Sequence, residues 1–138
     1  MKPGGICLFL LVCAFSLAGC DGAEPTPSLT VVHGRVTYLE QPIAGGSIVF
    51  IPDEERGGSG TPVNADIQVD GTYSLRTGEH AGIRPGAYRV TVRAAPRPFV
   101  RGGFAAPEPP ERYSDPRTSG LSCKVQPVED HTINFHLQ

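Results

Sequence analysis

Histidine and carboxylate side chains are the groups in this chain that could hold a metal or transfer protons. The chain has 138 residues, with four histidines and 14 acidic residues. His131 and His136 lie five residues apart, at the start of the last predicted strand and within it. In an extended chain this odd spacing points their side chains to opposite faces, so they cannot converge on one metal. A Ca²⁺ site needs oxygen ligands spaced around a turn, whereas Asp53-Glu54-Glu55 are consecutive, which favours a solvated loop. We therefore expect no metal and no cofactor.

The sequence also lacks the motifs of nucleophilic catalysis and of nucleotide binding. The sequence contains no Gly-x-Ser-x-Gly elbow, no P-loop, no dinucleotide-binding fingerprint and no His-Glu-x-x-His pair. Ser119 precedes Gly120 without the rest of a nucleophile elbow. We therefore predict that the protein is not an enzyme and has no catalytic residues.

Residues 1–19 are predicted to be a lipoprotein signal peptide. Lys2 precedes an almost wholly apolar run at 6–17, which is shorter than the roughly 20 residues that a spanning helix needs. The run ends in Leu17-Ala18-Gly19-Cys20, which resembles the bacterial lipobox. That resemblance implies that Leu17, Ala18 and Gly19 form the recognition site, that the chain is cleaved between Gly19 and Cys20, and that a diacylglyceryl group is attached to Cys20. The alternative is an ordinary secreted protein.

Lipidation of Cys20 would hold the mature protein at a membrane. Two or more acyl chains, such as palmitate, form a stable anchor where a single chain does not. Residues 20–28 contain two prolines and no apolar periodicity, which is typical of a tether. We therefore expect a lipid-anchored protein on the extracytoplasmic, periplasmic side of a bacterial envelope membrane. A chain that is exported across the membrane, and whose full sequence has a net charge of −2, is not expected to bind nucleic acid.

The predicted cleavage and lipidation determine which of the four cysteines could form a disulfide in the mature protein. Cys7 and Cys13 leave with the signal peptide and Cys20 carries the lipid, so only Cys123 keeps a thiol and no intrachain disulfide can form. Cys123 alternates in phase with two apolar neighbours, which predicts a small core side chain. A reactive or intermolecular thiol is the alternative.

Residues 29–138 are predicted to form one all-β domain. Apolar and polar residues alternate with a period of two, and no segment has the period of an amphipathic helix. Seven strands are predicted, at residues 30–38, 47–51, 63–69, 72–76, 88–94, 121–126 and 132–137. Seven short strands in a domain of this length favour an antiparallel β-sandwich.

One connection is too long for a minimal sandwich. Residues 95–117 contain six prolines, and loops beyond about 12–15 residues are usually functional or disordered. Its side chains could contact a sugar, a peptide or a protein partner, and the candidates are Phe99, Arg101, Phe104 and Tyr113. The alternative is a loop that folds back and packs its Phe side chains into the sandwich.

Arginines recur around the start of this connection, at positions 84, 89, 93, 97 and 101. Arg89 and Arg93 share one face of a predicted strand with Thr91. That face could meet anionic lipid headgroups or an envelope polysaccharide. The alternative is a solvated sheet face whose charge is offset by nearby acids.

Four strand-and-turn motifs follow one another in a recognisable order, at residues 32–38, 41–50, 70–75 and 85–92. Their order resembles the carboxypeptidase regulatory-like domain, a transthyretin-type or prealbumin-like β-sandwich. Segments 110–121 and 134–137 are similar to small lipoproteins of this kind in planctomycete-type bacteria. The resemblance implies an Ig-like or prealbumin-like sandwich and an accessory or adhesion-like role, and it implies no chemistry.

Two enzyme families have related sandwiches, and the chain lacks the signature of each. Intradiol dioxygenases hold iron with two tyrosines and two histidines. The segments around Tyr73 and Tyr88 faintly resemble part of that pattern, but the closely spaced histidines are missing. Hydroxyisourate hydrolases end in Tyr-Arg-Gly-Ser, whereas this sequence ends in Phe-His-Leu-Gln.

We therefore predict a non-enzymatic structural or binding module of the cell envelope, held at the membrane by its lipid. The alternative is a carbohydrate- or peptide-binding accessory protein that uses the 95–117 loop. A small oxygenase or hydrolase is the remote third possibility.

Overall fold

The computed structural model describes residues 28–96 and 107–138, together with Met1. Several residues with predicted roles lie outside these ranges: Leu17, Ala18, Gly19, Cys20, Phe99, Arg101 and Phe104. Within the described part the chain is all-β, with two single-turn 3₁₀ segments at Glu54–Arg56 and Glu111–Ser114. No helix among these residues is long and apolar enough to cross a membrane.

The described residues contain eleven strands, several of them short. In chain order they are β1 (Val31–Tyr38), β2 (Gln41–Pro42), β3 (Gly46–Pro52), β4 (Val63–Ile67), β5 (Thr72–Ser74), β6 (Arg76–Thr77), β7 (His80–Ala81), β8 (Gly86–Ala94), β9 (Leu121–Val125), β10 (Asp130–Thr132) and β11 (Phe135–Leu137). Every strand predicted from alternation has a counterpart. The predicted strands at 72–76 and 132–137 are each divided in two, and β2 and β7 are too short to produce a periodic signal.

Four strands form an antiparallel sheet in the order β4-β3-β8-β9. The central ladder between β3 and β8 runs from Gly46 opposite Ala94 to Pro52 opposite Tyr88. Side chains alternate across a strand, so one face of this ladder points inward. Its apolar residues on that face, Ile48, Phe50 and Val90, are fully buried.

The second large sheet is built around β1 and is not wholly antiparallel. β2 and β5 pair with β1 in antiparallel register, whereas β10 and β11 pair with it in parallel. The prediction of an antiparallel arrangement is therefore wrong at these two pairs. Parallel neighbours need a long crossover connection. Here the crossover is nearly the whole domain, because β1 opens the described chain and β11 closes it.

The two large sheets share one hydrophobic core. Phe50 of β3 is the main link, because its ring centroid lies 5.9 Å from that of Tyr73 on β5 and 5.9 Å from that of Phe135 on β11. It also meets Tyr88 on β8 at 6.0 Å in an edge-to-face arrangement. Aromatic pairs at such distances stabilise a core beyond the burial of their area.

A close approach of two backbones sits beside this aromatic cluster. The Tyr73 hydroxyl donates to the Ile133 carbonyl oxygen at 2.6 Å. A Cβ added to Gly34 would lie 1.8 Å from that same oxygen. Glycine at this position of β1 therefore lets the segment between β10 and β11 come close enough to accept the tyrosine's hydrogen bond.

Candidate binding groove

Strand β8 presents two arginines on its outer face. Tyr88, Val90 and Val92 point into the core and are at most 3% exposed. Because side chains alternate along a strand, Arg89 and Arg93 point outward, as the sequence predicts.

A segment returning from the long loop covers one edge of β8. The ladder between β8 and β9 ends at Val90 and Leu121. Among the described residues, the last part of β8 has no strand beside it on that side. The 3₁₀ turn at Glu111–Ser114 contacts β8 there instead. The described end of the loop therefore lies against the sheet, whereas Phe99 and Phe104, on which the two sequence-based alternatives differ, lie outside the described residues.

Tyr113 anchors this returning segment in the core. Its side chain is 6% exposed and belongs to the core cluster. Its hydroxyl donates to the Gln138 carbonyl oxygen at 2.7 Å and accepts from the Gln138 N–H at 3.1 Å. The Arg112 guanidinium lies 4.8 Å from the ring centroid and donates to the same hydroxyl and carbonyl oxygen. Burial raises the pKa of Tyr113, but the hydrogen bonds with Arg112 and Gln138 outweigh burial and lower that pKa overall.

Arg89 is held by a buried acid. The Asp53 carboxylate accepts hydrogen bonds from Arg89 Nε at 3.2 Å and Nη2 at 3.4 Å, and Asp53 is 4% exposed. Glu55 accepts a further bond from Nη2 at 2.9 Å. Arg56 Nε also lies 3.6 Å from the Asp53 carboxylate. The hydrogen bond with Asp53, and then its charge, raise the pKa of Arg89, so the guanidinium stays cationic.

The burial of Asp53 corrects the expectation of a solvated acidic loop. Its backbone N–H donates to the Ala87 carbonyl oxygen at 2.9 Å, and its own carbonyl oxygen accepts from the Gly58 N–H at 2.8 Å. A Cβ on Gly58 would lie 2.2 Å from the Ala87 oxygen, so the loop lies directly on β8. Glu54 and Glu55 are exposed, as expected. The spacing of the acids could not reveal this, because the partner Arg89 is distant in sequence.

Asp115 shapes the next turn and positions Arg117. Its carboxylate accepts from the Arg117 backbone N–H at 2.8 Å and lies 3.5 Å from Arg117 Nε. Its carbonyl oxygen accepts from the N–H groups of Thr118 and Ser119. The backbone hydrogen bond from Arg117 is the main reason that the pKa of Asp115 is lowered.

Two open depressions meet at Pro116 and Arg117. One, of about 720 Å³, lies between Arg93 and the returning segment, and Arg112 lines it. The other, of about 460 Å³, lies over the Asp53 pair. We call the combined surface the arginine groove, and its cationic side chains are Arg56, Arg89, Arg93, Arg112 and Arg117.

The residues that the sequence marks as ligand contacts differ in their placement. Phe99, Arg101 and Phe104 lie outside the described residues. Tyr113 is buried, and its hydroxyl bonds within the chain. The sequence did not single out Arg112 or Arg117, and no local pattern distinguishes them from other arginines.

A separate cluster lies on the outer face of the other sheet. His33 Nδ1 lies 3.2 Å from Asp130 Oδ1, and His33 Nε2 lies 3.1 Å from Thr132 Oγ1. These contacts join neighbouring strands β1 and β10, and the His33 and Asp130 side chains are 42% and 61% exposed. None of these three residues lines the arginine groove.

Residues 28–96 and 107–138 bring together no group of three or more His, Cys, Asp or Glu side chains that could hold a metal.

A scan of family models, a search of curated proteins and a search of solved structures each return no match to this chain.

Proposed function

We propose that this protein is a non-enzymatic, lipid-anchored binding module of the bacterial cell envelope. The observation that carries the proposal is the arginine groove, an open surface formed by β8, the loop at Asp53 and the segment that returns from the long connection. Guanidinium groups stay protonated in proteins and donate hydrogen bonds in a fixed fork. Such a lining suits the recognition of a ligand and does not suit proton transfer.

The fold we propose is a seven-stranded, prealbumin-like β-sandwich of the carboxypeptidase regulatory-like type, covering residues 29–138. Its support is the order of the strand and turn motifs and the core between the two large sheets, where Phe50 meets Tyr73 and Phe135. Eleven strands become seven when β5 with β6, and β10 with β11, are counted as interrupted single strands and the two-residue strands β2 and β7 are left out. Residues 1–19 are the proposed signal peptide and residues 20–28 the proposed tether.

The anchor is tested at Cys20. In cells supplied with labelled palmitate, the unaltered chain should take up label and sediment with membranes. Cys20→Ser should abolish both, whereas Cys123→Ser, which changes the thiol in the domain, should leave both intact. Persistent membrane association of the Cys20→Ser chain would refute the anchor.

A carbohydrate- or peptide-binding role for the 95–117 loop is the second candidate. The observation that favours it is that the described end of this loop forms one wall of the arginine groove. Phe99→Ala and Phe104→Ala should weaken capture of envelope glycans or proteins on arrays and in pull-downs. Leu39→Ala, at an exposed position in the turn after β1, is the matched control. Unchanged capture by both phenylalanine variants would remove the loop from the proposal.

The non-enzymatic part of the proposal is tested at His33, Asp130 and Thr132. Their two contacts have the connectivity of a hydrolase triad, but they lie on an exposed sheet face. We expect no hydrolysis of activated esters above the solvent rate, and no change in Thr132→Ala or His33→Ala. Hydrolysis that disappears in both variants would favour a small hydrolase instead.

A further inference from the structure

We propose that the arginine groove binds a linear acidic polysaccharide through the carboxylate or sulfate groups of successive sugars. This inference rests on the proposed binding function and names the ligand class of the same surface. It follows from the charge, the donor geometry and the shape of the groove.

The arginine groove carries more positive than negative side chains. The residues that line the two depressions include five arginines and three acids, Asp53, Glu111 and Asp115. The chain as a whole has a net charge of −2. The groove is therefore a local positive region on an acidic protein, and such a region raises the local concentration of an anionic ligand.

The guanidinium groups of the arginine groove supply the hydrogen-bond donors for an anionic ligand. Arg89 is fixed by Asp53 and Arg112 is fixed by Tyr113 and Gln138, so both guanidinium groups are held in place before a ligand arrives. The Arg93 side chain makes no hydrogen bond or ion pair with any residue in the described ranges, whereas its backbone belongs to the ladder between β3 and β8. The Arg117 side chain is 84% exposed. Arginine forks bind carboxylate and sulfate-like groups with two parallel hydrogen bonds.

The spacing of the arginines along β8 favours an extended ligand. Arg89 and Arg93 lie on the same face of β8 four residues apart, which corresponds to about 13 Å along a strand. A single compact anion cannot contact both, whereas a chain with recurring charges can. Hydroxyl groups suited to sugars lie beside the arginines, at Ser122 and Thr118.

A flat anionic bilayer fits this surface less well than a chain does. The Glu55 side chain is 84% exposed beside Arg89, and Glu111 is exposed beside Arg112. A planar layer of anionic headgroups would meet these carboxylates and be repelled, whereas a narrow chain can follow the line of arginines between them.

The experiment measures binding to the full chain, expressed in a bacterial host and held in nonionic detergent. The probe is an oligogalacturonate, and calorimetry should show binding that weakens as salt increases. Arg93→Ala and Arg117→Ala should each weaken the affinity about fivefold, as expected for loss of one exposed charged contact. Their combination should weaken it by roughly the product of the two.

The matched control is Arg35→Ala, which removes an exposed arginine from the outer face of the other sheet. Its affinity for oligogalacturonate should equal that of the unaltered chain. Equal weakening by Arg35→Ala and Arg93→Ala would show charge attraction without a site and would overturn the inference.

Two further probes separate this inference from the function on which it rests. A neutral linear oligosaccharide of the same length should not bind. If it binds and the arginine variants do not matter, the acidic ligand class is wrong while the binding module stands. Vesicles of phosphatidylglycerol and phosphatidylcholine should bind the Cys20→Ser chain no better than phosphatidylcholine alone. Binding to anionic vesicles that requires Arg93 and Arg117, without binding to oligogalacturonate, would also overturn the inference.

Discussion

Cys123 lies on β9 with its side chain half-buried against the core. Burial raises the pKa of its thiol to about 12, so very little thiolate is present at neutral pH. We predict that iodoacetamide modifies Cys123 far more slowly in the folded protein than in denaturant, followed by mass spectrometry of the peptide that contains it. Equal rates in the two conditions would contradict the core placement.

The Tyr113 hydroxyl joins the returning segment to Gln138. Tyr113→Phe keeps the ring in the core but leaves the Gln138 N–H and carbonyl oxygen without this partner, which should lower the free energy of unfolding by about 1–2 kcal/mol. The matched control is Tyr38→Phe, because the Tyr38 hydroxyl makes no hydrogen bond within the described residues. Urea unfolding measures both variants, and equal effects would show that the Gln138 contacts contribute nothing.

At the scale of elements, Gly34 determines how closely β1 can pack. Gly34→Ala would place a methyl group in the Ile133 carbonyl oxygen and press on the Tyr73 ring, so we expect a loss of about 3 kcal/mol. Gly78→Ala is the control, since its added Cβ meets no atom within 4 Å and costs only the left-handed backbone, roughly 1 kcal/mol. Thermal unfolding of the two variants should therefore differ clearly. A Gly34→Ala protein as stable as Gly78→Ala would contradict the close approach.

The turn before β5 should make stability sensitive to acid. The Thr72 hydroxyl and backbone N–H both donate to Asp70 Oδ1, and these bonds hold the pKa of Asp70 below its usual 3.8. A carboxyl whose pKa is lowered by folding stabilises the fold above its unfolded pKa, and this stabilisation is lost as the pH falls through the folded pKa.

Asp70→Asn should therefore be less stable than the unaltered protein at neutral pH, and the difference should shrink below about pH 4. Thr72→Val removes the hydroxyl donor and should reduce the acid-sensitive part of the free energy of unfolding. Urea unfolding at neutral pH and below about pH 4 measures that free energy for each variant. A difference that does not change with pH would show that the carboxylate plays no part in the turn.

At the scale of the whole molecule, the last strand completes the core that the first strand begins. Phe135 on β11 packs on Phe50 and is 6% exposed, whereas its neighbour His136 points outward. Phe135→Ala should cost about 3–5 kcal/mol, a large part of the 5–15 kcal/mol typical of a domain. His136→Ala, one position away on the exposed face, should change stability by less than about 1 kcal/mol. Comparable losses in the two variants would contradict the register of β11 on β1.

The arginine groove is also a property of the whole molecule. Its floor is on β8, one wall belongs to the loop at Asp53, and the other wall is the segment around Arg117. The outward placement of Arg89 and Arg93 follows from alternation along one strand and was predictable. The pairing of Asp53 with Arg89 was not, because the two residues are 36 positions apart and no local spacing connects them.

The sequence by itself determined where the longer strands lie, because alternation, glycine turns and the absence of helical periodicity are local properties of neighbouring residues. The proposed anchor also rests on the sequence alone, since the apolar run and the segment that resembles a lipobox are local patterns along the chain. Only the tertiary structure decided that β1 runs parallel to β10 and β11, that Tyr113 is buried and that Asp53 holds Arg89. Each of these depends on the free energy of contacts between distant segments, which no pattern of neighbouring residues encodes.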